Sequence, residues 1–384
     1  MHNPTLPEKL SLIIQLCDPD QLTLCMLDTR SLVALALTCK HLYRLISPFY
    51  THRHIYITND TTTAHMKAFF HSASTNRSAM VHTRSFLLKT SGRRVGFLEE
   101  DSFLGSIARV FDLMPNARFI ALHDMRRLVH PYPQVLSALL KFPRLQELEL
   151  SRFAHVDLAA LVNLRGLRSA SFHKPLYTQF SPFPLHVSNV KRILLASRST
   201  LEEISLGDLD LSFNLISSQA ADDAAVYGAD MKWPLVRSLR LFRCEALRWT
   251  PDLSLAFPLV RCFESPDHLE WVDCVDNHQF FSRLVSLRGP LQVLRVAKRA
   301  GAKLARVVVS ESILIDWDLR LCDYLPPCVR ILHLETWGGL TELEFSHKLL
   351  WNVVRAMPNL EYLRLEIPSG KFCDVYLTSM VSLM

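Results

Sequence analysis

Long apolar runs are missing from this sequence: no stretch approaches the roughly 20 consecutive apolar residues that a membrane-spanning helix needs, so none is expected. Glycine is scarce, with 11 in 384 residues. GxxxxGK[ST], GxSxG and HExxH do not occur, which leaves a phosphate-cradling loop, a nucleophile elbow and a zinc-binding helix without sequence support. Charged residues make up only 21% of the chain and apolar residues 49%, too apolar a balance for a disordered chain and enough for one large or two ordinary domains. Lys and Arg exceed Asp and Glu by 43 to 37, a formal net charge of +6. Without a dense basic run, that excess argues against nucleic acid or an anionic membrane as the principal partner. The nine cysteines are odd in number and follow no repeated spacing. Reduced thiols are therefore expected. Met1 to Lys9 has neither the basic start nor the apolar run of a signal peptide, so the expected location is cytoplasmic and/or nuclear. In that setting the NDT and NRS sequons at Asn59 and Asn76 carry no weight.

Residues 5–50 carry apolar positions at helical spacing. Leu10, Ile13 and Ile14 share one stripe; Leu32, Leu35 and Leu42 lie on or near a second, widened by Leu37 and Leu45. Pro7 suits a first helical turn, and Asp18 or Asp28 can cap a helix start. A bundle of about three short helices follows, too small to bury all its leucines alone. LPEKL near the start, followed by LDTRSLVALALTCKHLYRLISP, resembles the F-box, in particular its fungal form; the segment between them is longer than in the usual motif. That resemblance implies a helical adaptor-binding domain over residues 1–50. It also implies a partner, the Skp1-type adaptor of a cullin-RING ubiquitin ligase, contacted through Leu6, Pro7, Leu10, Ile13, Leu27, Leu32, Leu35, Leu42 and Tyr43.

Beyond Tyr50 a phrase recurs in which an apolar helical segment runs into proline and then a short strand pattern: FLGSIARVFDLMPNARFIAL, VLSALLKFPRLQELEL and LLWNVVRAMPNLEYLRL. HIYI reads as a first strand. Leu145, Leu148 and Leu150 match Leu360, Leu363 and Leu365, with weaker copies at Leu201/Ile204/Leu206, Val236/Leu239/Leu241, Leu291/Leu294/Val296 and Val329/Leu332/Leu334. Alternation in the last positions suits a half-buried strand. The anchors recur at a mean of about 30 residues, and their LxxLxL cores resemble leucine-rich repeats. Units this short must stack to bury a core. The expected fold is thus α/β: a helical F-box followed, over residues 51–384, by an irregular leucine-rich-repeat solenoid with a curved parallel sheet, interrupted by a loop at 214–232.

Side chains between the buried strand positions would face outward: Glu147, Glu149, Arg237, Arg240, Arg295, Arg330, His333, Glu361, Tyr362 and Arg364. Their mixed charge suits a protein or peptide more than a phosphate track. Trp249, Trp271 and Trp337 follow strand patterns and are candidate anchors for such a partner. Cys322, Cys328 and His333 come nearest to a metal set, but their spacing is wider than that of paired zinc ligands, so no metal and no cofactor is expected. His52 and His54 flank Arg53 and read as a basic edge before a strand. The resemblance therefore implies a non-catalytic, substrate-recognition subunit of a Skp1-cullin-F-box ubiquitin ligase that recruits an unidentified protein, or alternatively a leucine-rich-repeat interaction scaffold without ligase attachment.

Overall fold

The computed structural model describes residues 29–40, 43, 46, 53–58, 61–89, 101–125, 134–173, 183–211, 231–246, 251–311, 323–336, 353–366 and 372–376, apart from 76, 154, 186, 187, 267–269 and 274–276 within those ranges. The chain divides into two compact units, Met1–Leu167 and Arg168–Met384. No helix among the described residues is long and apolar enough to cross a membrane.

In the first unit, α1 (Thr29–Leu37) precedes β1 (His54–Ile57), α2 (Thr63–Thr75), α3 (Arg77–Met80), β2 (Ser85–Leu88), α4 (Asp101–Asp112), β3 (Phe119–Leu122), α5 (Gln134–Leu139) and β4 (Glu147–Ser151). The four strands pair in chain order and all run parallel. Parallel neighbours require a crossover, which the intervening helices supply. Period-two burial sets the register: Ile55, Phe86, Ile120 and Leu148 form one buried row, and Ile57, Leu88, Leu122 and Leu150 the next. Phe111 from α4 meets Phe86 edge-on, with ring centroids 5.3 Å apart, and joins Phe142 at 5.6 Å. Burial of these rings fastens the helical layer to the strands.

The strand entrances share one hydrogen-bonding device. The carbonyl of Arg53 accepts from both Arg84 N and Ser85 N; that of Arg84 accepts from Arg118 N and Phe119 N; that of Arg118 accepts from Gln146 N and Glu147 N. This two-to-one bond aligns the residue before each strand with its counterpart in the next.

The second unit contains β5 (Ser169–His173), β6 (Phe183–Pro184), α6 (Asn189–Ala196), β7 (Glu203–Gly207), β8 (Leu209–Asp210), β9 (Ser238–Phe242), α7 (Leu253–Ala256), β10 (Cys262–Glu264), α8 (His278–Ser282), β11 (Ser286–Gly289), α9 (Leu291–Arg299), β12 (Arg306–Glu311), β13 (Ile331–Thr336), β14 (Tyr362–Glu366) and β15 (Phe372–Tyr376). Its main sheet has the order β5-β7-β9-β10-β11-β12-β13-β14-β15, parallel throughout except for the antiparallel β14–β15 pair, while β6 and β8 form a small parallel pair. Ile204, Leu239, Phe263, Leu287, Val307, Leu332 and Leu363 share a buried row. Phe263, Phe280 and Phe281 pack mutually edge-to-face beneath it. Side chains fix the helix starts: Ser188 Oγ accepts from Lys191 N at 3.1 Å, and Asp252 Oδ1 accepts from Ser254 N and Leu255 N.

The described residues do not form the expected leucine-rich-repeat solenoid behind a helical cap, and most of the expected F-box segment lies outside them. The strands belong to a largely parallel α/β architecture in which each crossover from β1 to β4, and several in the second unit, carry a helix. Strand starts at 54, 85, 119 and 147, then at 262, 286, 306, 331 and 362, define no common repeat length. A second correction is local. Leu291, Leu294 and Val296, expected on a strand, lie in α9, whose buried residues are Val293, Leu294, Val296 and Ala297. Pro290 opens that helix at a position where its missing N–H costs nothing. Of the expected loop at 214–232, only Met231 and Lys232 lie within the described residues, and Met231 is buried.

Candidate functional site

The entrance device of the first unit places Arg53, Arg84 and Arg118 at one register position on three neighbouring strands, whose backbones lie roughly 4.8 Å apart. These three side chains line a cleft of about 370 Å³ together with Tyr56, Ser85, Phe119 and Glu147. Three guanidinium groups thus share the wall with one carboxylate. The cleft lies at the amino ends of the strands, whereas ligands of open parallel sheets usually bind at the carboxyl ends, so side-chain chemistry and not topology marks it.

Nearby histidines register the same field. His54, whose Nδ1 lies 3.1 Å from Ser85 Oγ and whose ring stacks against Tyr56, has its pKa lowered from 6.5 by burial and, secondarily, by Arg53. His82 is lowered by burial and then by Arg84. Like charges on adjacent strands repel. An oxyanion seated among the arginines converts that repulsion into attraction, and the planar fork of guanidinium matches carboxylate or phosphate oxygens.

The outward face of the second unit is arranged differently. Arg240 Nε lies 2.7 Å from Glu264 Oε2, and Arg288 Nη1 lies 3.0 Å from Glu264 Oε1. Arg288 Nη2 also reaches Glu335 Oε2 at 2.8 Å. Glu335, only 7% exposed, accepts from Ser310 Oγ at 2.7 Å, with His333 Nδ1 3.6 Å from its other oxygen. Each carboxylate therefore holds two or more partners, as burial of a charge demands.

Of the outward residues expected from the sequence, Arg240 and His333 belong to this network. Arg330 pairs with Glu361 at 2.6 Å at the entrance to β14, and Tyr362 and Arg364 lie partly buried on that strand. Arg237 immediately precedes β9, its carbonyl accepting from Arg261 N and Cys262 N. Glu147 lines the first unit's cleft, and Glu149 lies 3.2 Å from His123 Nε2. Arg295 is not on this face: it is exposed on α9, a consequence of the helix that replaced the expected strand. Of the expected adaptor-contacting set, Leu6, Pro7, Leu10, Ile13, Leu27 and Leu42 lie outside the described residues, as does the side chain of Leu32; Leu35 is half-buried and Tyr43 exposed. Trp271 donates to Cys244 O at 3.1 Å, while Trp249 and Trp337 lie outside the described residues.

Arg84 and Arg118 were missed in the sequence, although a local signal exists. Arg53-His54-Ile55, Arg84-Ser85-Phe86 and Arg118-Phe119-Ile120 each place arginine two residues before the first buried strand position. No group of three or more His, Cys, Asp or Glu among the described residues is placed to hold a metal ion.

No protein-family model matches the chain, and no curated protein matches it. With the parallel α/β architecture, that overturns the resemblance to fungal F-box proteins with leucine-rich repeats. The roles it implied, ubiquitin-ligase substrate receptor or leucine-rich-repeat scaffold, fall with it. The expected exclusion of catalysis is corrected on the same ground, because it rested on the receptor's positional role. Parallel α/β sheets commonly carry catalytic sites.

Proposed function

We propose that this chain is an α/β ligand-binding protein whose first unit receives an oxyanion, a carboxylate or phosphate group, in the cleft at the entrances of β1–β4. The convergence of Arg53, Arg84 and Arg118 on one cavity carries this reading. Tyr56 and Phe119 supply flat apolar walls beside the cations, suited to the carbon skeleton that bears the anion. The site of action is the cytoplasm or nucleus: Cys39, Cys244, Cys262 and Cys328 stand outside any disulfide, in keeping with a reducing compartment.

Isothermal titration with inorganic phosphate tests the reading. Binding is expected in the full chain and should weaken about ten-fold or more in Arg84→Gln, since a charge-assisted hydrogen bond contributes about 1.5–3 kcal/mol. Absence of binding, or equal binding by an Arg84→Gln/Arg118→Gln protein, refutes it. A glutamate-rich peptide serves as second probe. Tighter binding than phosphate identifies the anion as one carried by a partner protein; weaker binding identifies a small molecule.

A further inference from the structure

At the carboxyl ends of β3 and β4, away from the arginine-lined entrances, three side chains from two strands are joined in sequence. His123 Nδ1 lies 3.1 Å from Ser151 Oγ, and His123 Nε2 lies 3.2 Å from Glu149 Oε1. Strand geometry explains the meeting. Leu122 is registered against Leu150, so the next residues, His123 and Ser151, stand side by side. Glu149 precedes Ser151 by two residues and therefore shares its face. The imidazole bridges these two same-face positions.

The carboxylate decides the tautomer. An ionised carboxylate only accepts hydrogen bonds, so the proton of a neutral His123 resides on Nε2 and points at Glu149. Nδ1 is then left with its lone pair toward Ser151 Oγ, in position to accept the hydroxyl proton. His123 and Glu149 are partly buried, with 20% and 32% of their side-chain surface exposed, so the relay is sheltered while solvent still reaches it. Asp124 and Arg152, which immediately follow His123 and Ser151, both have left-handed backbone, φ 65° and 55°, and their side chains meet at 3.6 Å. Such conformations are uncommon for residues bearing a side chain. Here they turn the chain sharply just beyond the two reacting groups.

We infer that Ser151, His123 and Glu149 form a nucleophilic relay that cleaves carboxylic esters. Ser151 Oγ attacks the ester carbonyl carbon as its proton passes to His123 Nδ1. The new Oγ–C bond forms, the tetrahedral centre collapses, and the ester C–O bond breaks. The imidazolium returns its proton to the departing alkoxide, releasing an alcohol. Water then attacks the acyl-serine, giving a proton to His123, and the carboxylic acid departs as Ser151 recovers its proton. Glu149 is a positioning residue: it fixes the imidazole and stabilises its cationic form. This activity does not depend on the oxyanion cleft.

The second unit supplies an internal control. His173 Nε2 lies 3.2 Å from Ser205 Oγ, also across neighbouring strands, but the ring's other nitrogen faces Gly207, where a Cβ would collide with it. That pair has no glutamate in the place that Glu149 takes beside His123.

The full chain should be treated with a fluorophosphonate probe and with p-nitrophenyl acetate, the adduct located by peptide mass spectrometry and folding checked by circular dichroism. The expected result is modification of Ser151 in preference to Ser205, loss of the adduct in Ser151→Ala, and slowing of about a hundred-fold or more in folded His123→Gln. Glu149→Gln should retain measurable turnover with a lowered kcat at unchanged KM, and Glu149→Asp should recover part of the loss. A merely structural Glu149 would leave kcat unmoved in protein that circular dichroism shows to be folded. Failure to modify Ser151, equal modification of Ser205, or a Ser151 rate indifferent to His123→Gln overturns the relay.

Discussion

The two units build their polar sheet faces by the same rule, in-register parallel strands with outward side chains alternating against a buried row, yet with opposite electrostatic results. In the second unit, Arg240, Glu264, Arg288 and Glu335 alternate in sign and bind one another at 2.7 to 3.0 Å. In the first, the register repeats one sign, placing Arg53, Arg84 and Arg118 around a cleft with Glu147. A closed alternation satisfies its own charges and contributes to folding. A repeated sign brings like charges together, and an oppositely charged ligand adds attraction there. The lesson is that sheet register, which looks like a purely structural variable, also determines whether a charged row serves stability or binding.

The sharpest way to break this comparison is to remove the shared cation of the second unit. Arg288→Met leaves Glu335 buried beside Ser310 without its strongest partner, and should lower unfolding stability by about 3 kcal/mol in urea titrations. Arg84→Met in the first unit, without anion, gives up the long bond from Arg84 Nη1 to Asn116 O on a partly exposed side chain, and should cost about 1 kcal/mol or less. Equal losses in both variants would erase the distinction. A second measurement reverses the roles: phosphate at about a hundred times its dissociation constant should raise stability by about 2.7 kcal/mol. The gain should vanish in Arg84→Gln/Arg118→Gln and persist in Arg288→Met. A smaller effect is expected for Arg240→Gln. Its partner Glu264 keeps Arg288 and Arg240 itself is half exposed, so the loss should be below about 1 kcal/mol.

Several strands were legible because their burial alternates. Leu148 and Leu150, Ile204 and Leu206, Leu239 and Leu241, and Leu332 and Leu334 all occupy buried strand positions where the LxL pattern placed them. The same pattern misled about family, since any short half-buried strand entered from a turn produces it. In α9 the period itself was ambiguous. Leu294 and Val296 fit the end of a strand fragment as well as a broad buried side of a helix, and only the buried Val293 and Ala297 resolve it. β12 shows no alternation because Val307, Val308 and Val309 are all buried. The cleft was less legible still: Arg53, Arg84 and Arg118 are far apart in sequence, and their adjacency exists only after the register is known. Likewise, His123 meets Ser151 and Glu149 through pairing of separate strands, which no local motif encodes.

Protonation offers the finest test of the repeated cationic row. His54 and His82 have pKa values lowered from 6.5, each by burial first and by its arginine neighbour second. Well above pH 6.5 both are neutral in folded and unfolded chain, so they add no pH dependence there. As the pH falls below 6.5 the unfolded chain takes up protons first, and stability declines until the folded histidines titrate in turn. The decline should be shallower in a His54→Gln/His82→Gln protein. Arg53→Gln should raise the His54 titration midpoint part of the way toward 6.5, leaving the burial contribution, and saturating phosphate should do the same for both histidines if it neutralises the row. Proton resonances of the imidazole rings report these midpoints directly. Midpoints at or above 6.5 in the anion-free protein would show that the row exerts no such field, and the contrast between the two units would then reduce to the ion pairs of the second.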